Sequence, residues 1–302
     1  MMYSFSFGKE SFLCPLEALD DRRGSMKHWK IWITAAAVAI GTAAFLMAGC
    51  GGQKPAGGRE VSQNVKITVG ASPVPHGEIL KEIKPMLIAE GVDLDIIEFT
   101  DYVKPNLALQ DKELDANFYQ HEPYMEKFNN EHGTDLVALC KVHVEPMGIY
   151  SHKIKELSQL GQNAKVAIPN DPTNGGRALL VLQTAGLISL KDGGSIASTV
   201  QDIEKNDKNL QFIELDAAQI PRSLDDVDIA LINTNYALEA GLNPLQDALF
   251  TESKDSPYAN VLVVRRGDEN RPEIQKLAKA LQSPEVKKFI EEKYKGAIIP
   301  SF

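Results

Sequence analysis

Cysteine is scarce in this 302-residue chain: Cys14, Cys50 and Cys140 are the only three, and no C-x-x-C pair occurs. That excludes a disulfide scaffold and a cysteine-rich zinc site. Basic residues are outnumbered, 32 Lys and Arg against 41 Asp and Glu, for a net charge of −9. Such a surface lacks the basic patches that nucleic-acid phosphates demand, so no nucleic-acid partner is expected. The G-x-S-x-G elbow, the G-x-x-x-x-G-K-[ST] phosphate loop, the G-x-G-x-x-G fingerprint and the H-E-x-x-H pair are all missing. Neither an enzyme nor a bound cofactor is therefore expected. His143-Val-Glu145 opens like a zinc-deaminase motif, but no P-C-x-x-C follows, and it reads as a strand pair. His76, His121, His132, His143 and His152 show no i, i+4 pairing, so they read as surface or pocket residues with no metal. What the chain does have is 43% hydrophobic and 24% charged residues, the balance of a folded protein with a sizeable core.

Only one long apolar run exists. Met26-Lys-His-Trp-Lys30 is basic, Ile31 to Met47 is uncharged and apolar, and Ala48-Gly49-Cys50 closes it. This is the order of a secretory signal peptide. Seventeen apolar residues nearly suffice to span a bilayer, but the small pair before Cys50 favours cleavage over a permanent anchor. The segment resembles the lipobox of bacterial lipoproteins, with Met47 in place of the commoner leucine. That resemblance implies a diacylated Cys50 at the mature N-terminus, a protein held on the extracytoplasmic face of the bacterial cell membrane. The expected organisation is a non-native extension at 1–25, a lipoprotein signal peptide at 26–49 and a flexible glycine-rich tether at 50–64. Translation is expected to start at Met26.

From Val65 onward short apolar runs alternate with helical patterns, the signature of α/β architecture. Strands are expected at 65–69, 94–99, 115–119, 136–140, 165–168, 211–215, 228–232 and 261–264. Helices are expected at 78–89, with Pro85 kinking it, at 123–131 and at 176–185, and as two amphipathic C-terminal segments. Residues 169–174 read as a turn cluster. Two α/β lobes are the natural division, lobe I from 65–146 and 239–302, lobe II from 147–238.

Polar and aromatic residues collect at the ends of these elements, where α/β sheets bind ligands. Ordinary turn chemistry accounts for each cluster taken alone. Taken together, Asp101–Asn106 (D-Y-V-K-P-N), Phe118–Tyr124, Pro169–Arg177, Pro221–Asp226, Ile232–Ala237 and Ser256–Asn260 resemble the methionine-binding lipoproteins of the MetQ/NlpA family, in that family's order. The resemblance implies a type II periplasmic-binding-protein fold, two lobes with the ligand in the cleft between them. It implies capture of methionine, L- and possibly D-, for the permease and ATPase subunits of an ABC importer. Another small amino acid or a methionine-containing dipeptide is the alternative.

By family position, Tyr102, Phe118, His121 and Tyr124 would wall the side-chain pocket. Arg177 would hold the carboxylate with Asn174 in the same motif, and Asn233, Asn235 and Asn260 would serve the ammonium and carboxylate ends. The chemistry suits a zwitterion: a guanidinium fork pairs a carboxylate, reinforced by its expected place in a helix's first turn. Amide carbonyls accept from the ammonium without adding charge, and ring edges attract a polarisable thioether.

Overall fold

A computed structural model describes residues 64–302; the leader, the acylation call at Cys50 and the tether up to residue 63 lie outside the described residues. Among the described residues no helix is long and apolar enough to cross a membrane.

The first sheet starts with β1 (Val65–Ala71), β2 (Val92–Glu98), β3 (Ala116–His121) and β4 (Leu136–Val144). Between them lie α1 (Glu78–Ala89), α2 (Lys104–Gln110) and α3 (Glu122–His132). Helix α1 buries Ile79, Leu80, Ile83 and Leu87, one face at helical spacing, and continues past the exposed Pro85. Helix α3 is capped at both ends. The His121 side chain accepts from the Tyr124 N–H, and Gly133 takes the left-handed φ of 67° at the C-terminus.

The chain then crosses at Glu145-Pro146-Met147 into a second sheet. Its elements are β5 (Gly148–Tyr150), β6 (Lys165–Pro169) and α4 (Pro172–Thr184), then a small pair formed by β7 (Ser189–Leu190) and β8 (Ile203–Lys205). β9 (Gln211–Leu215), β10 (Ile229–Ile232), α5 (Thr234–Glu239) and β11 (Phe250–Thr251) complete it. After a second crossing, β12 (Ala259–Arg265), α6 (Pro272–Leu281), α7 (Pro284–Tyr294) and β13 (Ile299–Pro300) return to the first sheet.

The two sheets share one plan. The first runs β13-β4-β12-β3-β1-β2 and the second β11-β5-β10-β6-β9. In each, three parallel strands (β2-β1-β3 and β9-β6-β10) are followed by an antiparallel strand that arrives by a crossing, β12 or β5. This is the two-lobed type II arrangement. Each lobe has its own core. One packs α1, α6 and α7 on the first sheet, and two others flank the second through Val166, Leu179, Leu182 and Ile229, and through Ala167, Ile220 and Ile232.

Three differences from the sequence reading have physical causes. Helix α4 starts at Pro172, because Asp171 caps the Asn174 N–H and proline at N1 has no amide to lose; the second half of the expected turn cluster, Pro172–Asn174, is thus helix. Arg177 consequently sits in the second turn of α4, not the first, so helix-end amides do not flank its side chain. Finally, β11 pairs antiparallel with β5, so the return to the first lobe falls between Thr251 and Ala259, later than the expected boundary before residue 239. A two-residue strand carries too little pattern to be read in advance.

Candidate functional site

A small cavity lies between the lobes, lined by residues of both. From the first lobe come Tyr102, Tyr119, Gln120, His121 and Tyr124, with Asn260 from β12. Asn174, Arg177, Asn233, Thr234 and Asn235 come from the second lobe, and Glu145 from the first crossing. Of the nine ligand-binding residues expected from sequence, eight converge here. Phe118 does not: it is fully buried behind the wall, its ring edge-on to His76 at 4.7 Å and to His143 at 5.4 Å. Phe118 packs into the α1 core, and a register shift of β3 against β12 follows it (Leu262 opposite Phe118, Val261 opposite Gln120), so simple alternation breaks and Tyr119, Gln120 and His121 all reach the cavity.

Arg177 is the cation of the cavity and is 3% exposed. Its Nε donates to both Glu252 oxygens at 3.2 Å, and its Nη2 donates to Glu252 at 2.5 Å and to the Glu145 carbonyl at 2.7 Å. The guanidinium thus ties together both crossings between the lobes. It lies 4.4 Å from the Tyr258 ring centroid, a cation–π contact made by the second residue before Asn260. Among the described residues Nη1 has no protein partner, leaving that edge of the fork for an anion.

Neutral groups surround it. His121 Nδ1 accepts from the Tyr124 amide at 3.2 Å, so Nε2 carries the proton and donates to Asn174 Oδ1 at 3.3 Å. Burial, aided by nearby Arg177, pushes the His121 imidazole down to about 3, so it stays uncharged. Asn233 Nδ2 donates to the same Asn174 oxygen at 2.9 Å. Asn233 Oδ1 and Asn235 Nδ2 are buried without partners among the described residues, one acceptor and one donor available to a bound molecule.

The apolar wall is aromatic. Tyr102 lies 5.9 Å from the rings of Tyr119 and Tyr124 and 4.9 Å from Tyr236 of α5. The Tyr119 and Tyr124 hydroxyls both donate to the Tyr102 carbonyl, at 2.8 and 2.9 Å, which fixes the loop after β2. The Tyr102 hydroxyl donates across the cleft to Asn235 Oδ1 at 2.6 Å. Behind the wall Asn106 exchanges hydrogen bonds with Gln120 and accepts one from Asn117, so the asparagine closing the first motif supports the cavity without lining it. A Cβ on Gly176 would sit 2.0 Å from the Ile196 carbonyl oxygen; only glycine lets that backbone pass beside α4.

Tyr119, Gln120 and Thr234 lie inside the sequence motifs but were not expected to bind ligand, and Glu145 was set aside with His143 as a strand pair. Glu145 is the important omission. It is 6% exposed, and burial raises its carboxyl above the ordinary range, opposed by His76, Arg177 and the Asn235 backbone N–H. Its Oε1 lies 2.7 Å from His143 Nε2 and 3.3 Å from His76 Nε2. An acidic residue directly after an apolar strand and before a proline was the available signal. Cationic Arg177 and acidic Glu145 on one small cavity, with uncharged amides between, can hold a zwitterion.

A profile of the NlpA lipoprotein family matches residues 67–302. The D-methionine-binding lipoprotein MetQ of Escherichia coli strain K12 is 46% identical over 211 residues, 69% of this chain and 78% of that protein. A nutrient-binding protein from Burkholderia cenocepacia, solved bound to methionine, is 48% identical and superposes with a TM-score of 0.76, covering 78% of this chain and 100% of that one. A periplasmic substrate-binding protein of an ABC transporter from Coxiella burnetii is 46% identical with a TM-score of 0.75, over 78% of this chain and 100% of that one. The chain belongs to the NlpA lipoprotein family.

Proposed function

We propose that this lipoprotein captures free methionine outside the cytoplasmic membrane and delivers it to the permease and ATPase subunits of an ABC importer. The protein acts by binding alone, anchored through acyl chains on Cys50. The observation that carries the reading is the match between the cavity's charges and a small zwitterion. Arg177 Nη1 and Asn235 Nδ2 face the carboxylate, Glu145 and Asn233 Oδ1 face the ammonium, and the Tyr102, Tyr119, Tyr124 and His121 rings enclose the side chain. A thioether suits such a wall because it is apolar and polarisable, with about 0.3–1.5 kcal/mol available per sulfur–ring contact. The relatives named for methionine, and the one solved with methionine bound, support the same substrate.

Because the ligand touches both lobes, it favours the closed form over an open one. Mass spectrometry of the small molecule released on denaturing freshly purified protein tests the assignment. Methionine is the expected species. A methionine-containing dipeptide or a different amino acid would replace it, and turnover of amino-acid derivatives would contradict the binding-only role.

A further inference from the structure

Behind Glu145 lies a pair of histidines that the cavity itself does not reach. His143, on β4, is fully buried and His76, two residues before α1, is 1% exposed; their ring centroids are 4.9 Å apart. His76 Nε2 faces two oxygens, Glu145 Oε1 at 3.3 Å and Asn260 Oδ1 at 3.2 Å. That nitrogen therefore carries the proton, and Nδ1 accepts from the Ser72 hydroxyl at 2.6 Å. His143 Nε2 lies 2.7 Å from Glu145 Oε1, while its Nδ1 is buried with no partner among the described residues. Were Nδ1 protonated, a buried donor would be left without an acceptor, the rarer and costlier defect. The proton therefore belongs on Nε2, donated to the carboxylate.

We propose that His76 and His143 are positioning residues: two neutral imidazoles whose Nε2–H groups converge on one Glu145 oxygen, holding the carboxylate ionised and aimed at the ligand's ammonium. The pair thereby sets the preference for amine-bearing ligands. The inference rests on the amino-acid reading above and adds the source of its amine selectivity. A buried carboxylate needs hydrogen-bond donors to stay ionised. A nearby cation would supply them with a charge that cancels Glu145. Neutral imidazoles donate the bonds and leave the negative charge for the ligand. His76 also bonds Asn260, so one ring orients two groups of the cavity wall.

These three side chains also lie close enough to suggest a metal centre, with candidate ligand atoms within 4.8 Å of one another. The geometry disfavours it. A metal on His143 Nε2 would force the proton onto Nδ1, which has no acceptor among the described residues, whereas metal-bound imidazoles almost always donate their other N–H.

The test compares L-methionine with 4-(methylthio)butanoate, which keeps the chain and carboxylate but lacks the amine, by calorimetry on protein stripped of ligand and refolded. His143→Leu is expected to weaken L-methionine about tenfold or more, while the deaminated compound changes less than about twofold. His143→Gln, whose amide nitrogen reaches the place of Nε2, is expected to recover most of the loss. Equal weakening of both compounds, or no weakening of either, would overturn the proposal. Wild-type protein that binds methionine with unaltered selectivity in the variants sinks the histidine role alone; wild-type protein that binds neither compound sinks the amino-acid reading beneath it. If His143→Leu does not fold, nitrogen-detected NMR of the wild-type imidazoles decides. Neutral rings protonated at Nε2 are expected at pH 7, and an Nδ1–H form or a charged ring on His143 refutes the cradle. One equivalent of zinc in the purified protein, absent from His143→Gln, would overturn it in favour of a metal centre.

Discussion

Replacing Arg177 by alanine removes more than one contact, and the structure allows the parts to be separated. The guanidinium is 3% exposed, and Nε and Nη2 are committed to Glu252 and the Glu145 carbonyl. Only Nη1 remains to meet a ligand carboxylate. Truncation leaves that carboxylate desolvated beside acidic Glu145, with Glu252 also unpaired. Removing one partner of a buried, hydrogen-bonded charge pair costs about 2–5 kcal/mol, or roughly 30- to 5,000-fold in affinity for L-methionine. Part of the loss is structural, because the same side chain bridges both crossings. Arg177→Lys isolates the ligand's share: it keeps the charge but loses the fork, with an expected loss of about 10- to 150-fold from one charge-assisted bond at ~1.5–3 kcal/mol. Calorimetry on refolded, ligand-free protein reads the affinities, and a thermal melt of each variant reads the structural share. Alanine and lysine variants that remain folded and bind within about threefold of wild type would refute the reasoning.

Tyr102→Phe removes the hydroxyl that donates across the cleft to Asn235. About 1 kcal/mol, or roughly fivefold in methionine affinity, should be lost, with a larger ligand-free radius of gyration by X-ray scattering; unchanged affinity and radius would contradict the closure role. Stability should fall as pH drops below about 6.5, because the unfolded chain then protonates three imidazoles that the folded protein keeps neutral, His76 down to about 4 and His121 and His143 down to about 3. Each contributes up to about 1.4 kcal/mol per pH unit in that window, and Glu145 and Asp171, whose carboxyls burial raises, act in the opposite sense. A urea midpoint lower at pH 5 than at pH 7 is expected, and equal midpoints would contradict it. Cys50→Ala should abolish incorporation of labelled palmitate in cells, and undiminished label would place the lipid elsewhere.

The two-lobed plan was legible because apolar strand runs such as Val65–Val69 and Gln211–Leu215 stand apart from helical periodicity such as Ile79, Leu80, Ile83 and Leu87. Segments whose partners are distant in sequence were not. β5, β11 and β13 are two or three residues long and exist because a neighbouring strand offers free backbone groups. The site divided along the same line. Residues within ordered motifs, such as His121, Arg177 and Asn260, could be named from the chain. Phe118 was misplaced because a motif gives order but not which face of the strand a ring occupies. His143-Val-Glu145 was read as a strand pair and His76 only as a surface or pocket residue; that the three meet could not be read, because His76 and His143 are far apart in the chain and their meeting depends on where β4 lies against β12 and the segment before α1.

The central claim is that the cleft holds methionine, and titration calorimetry on the wild-type protein, unfolded to release bound ligand and refolded, tests it directly. One equivalent of L- or D-methionine is expected to bind with measurable heat. Alanine, which has the same charged ends but no side chain to reach the Tyr102, Tyr119 and Tyr124 rings, is expected to bind at least about tenfold more weakly, the loss of a buried apolar side chain being worth ~1.5–3 kcal/mol. Folded protein that gives no heat with either enantiomer of methionine, or that binds alanine as tightly, would contradict the account.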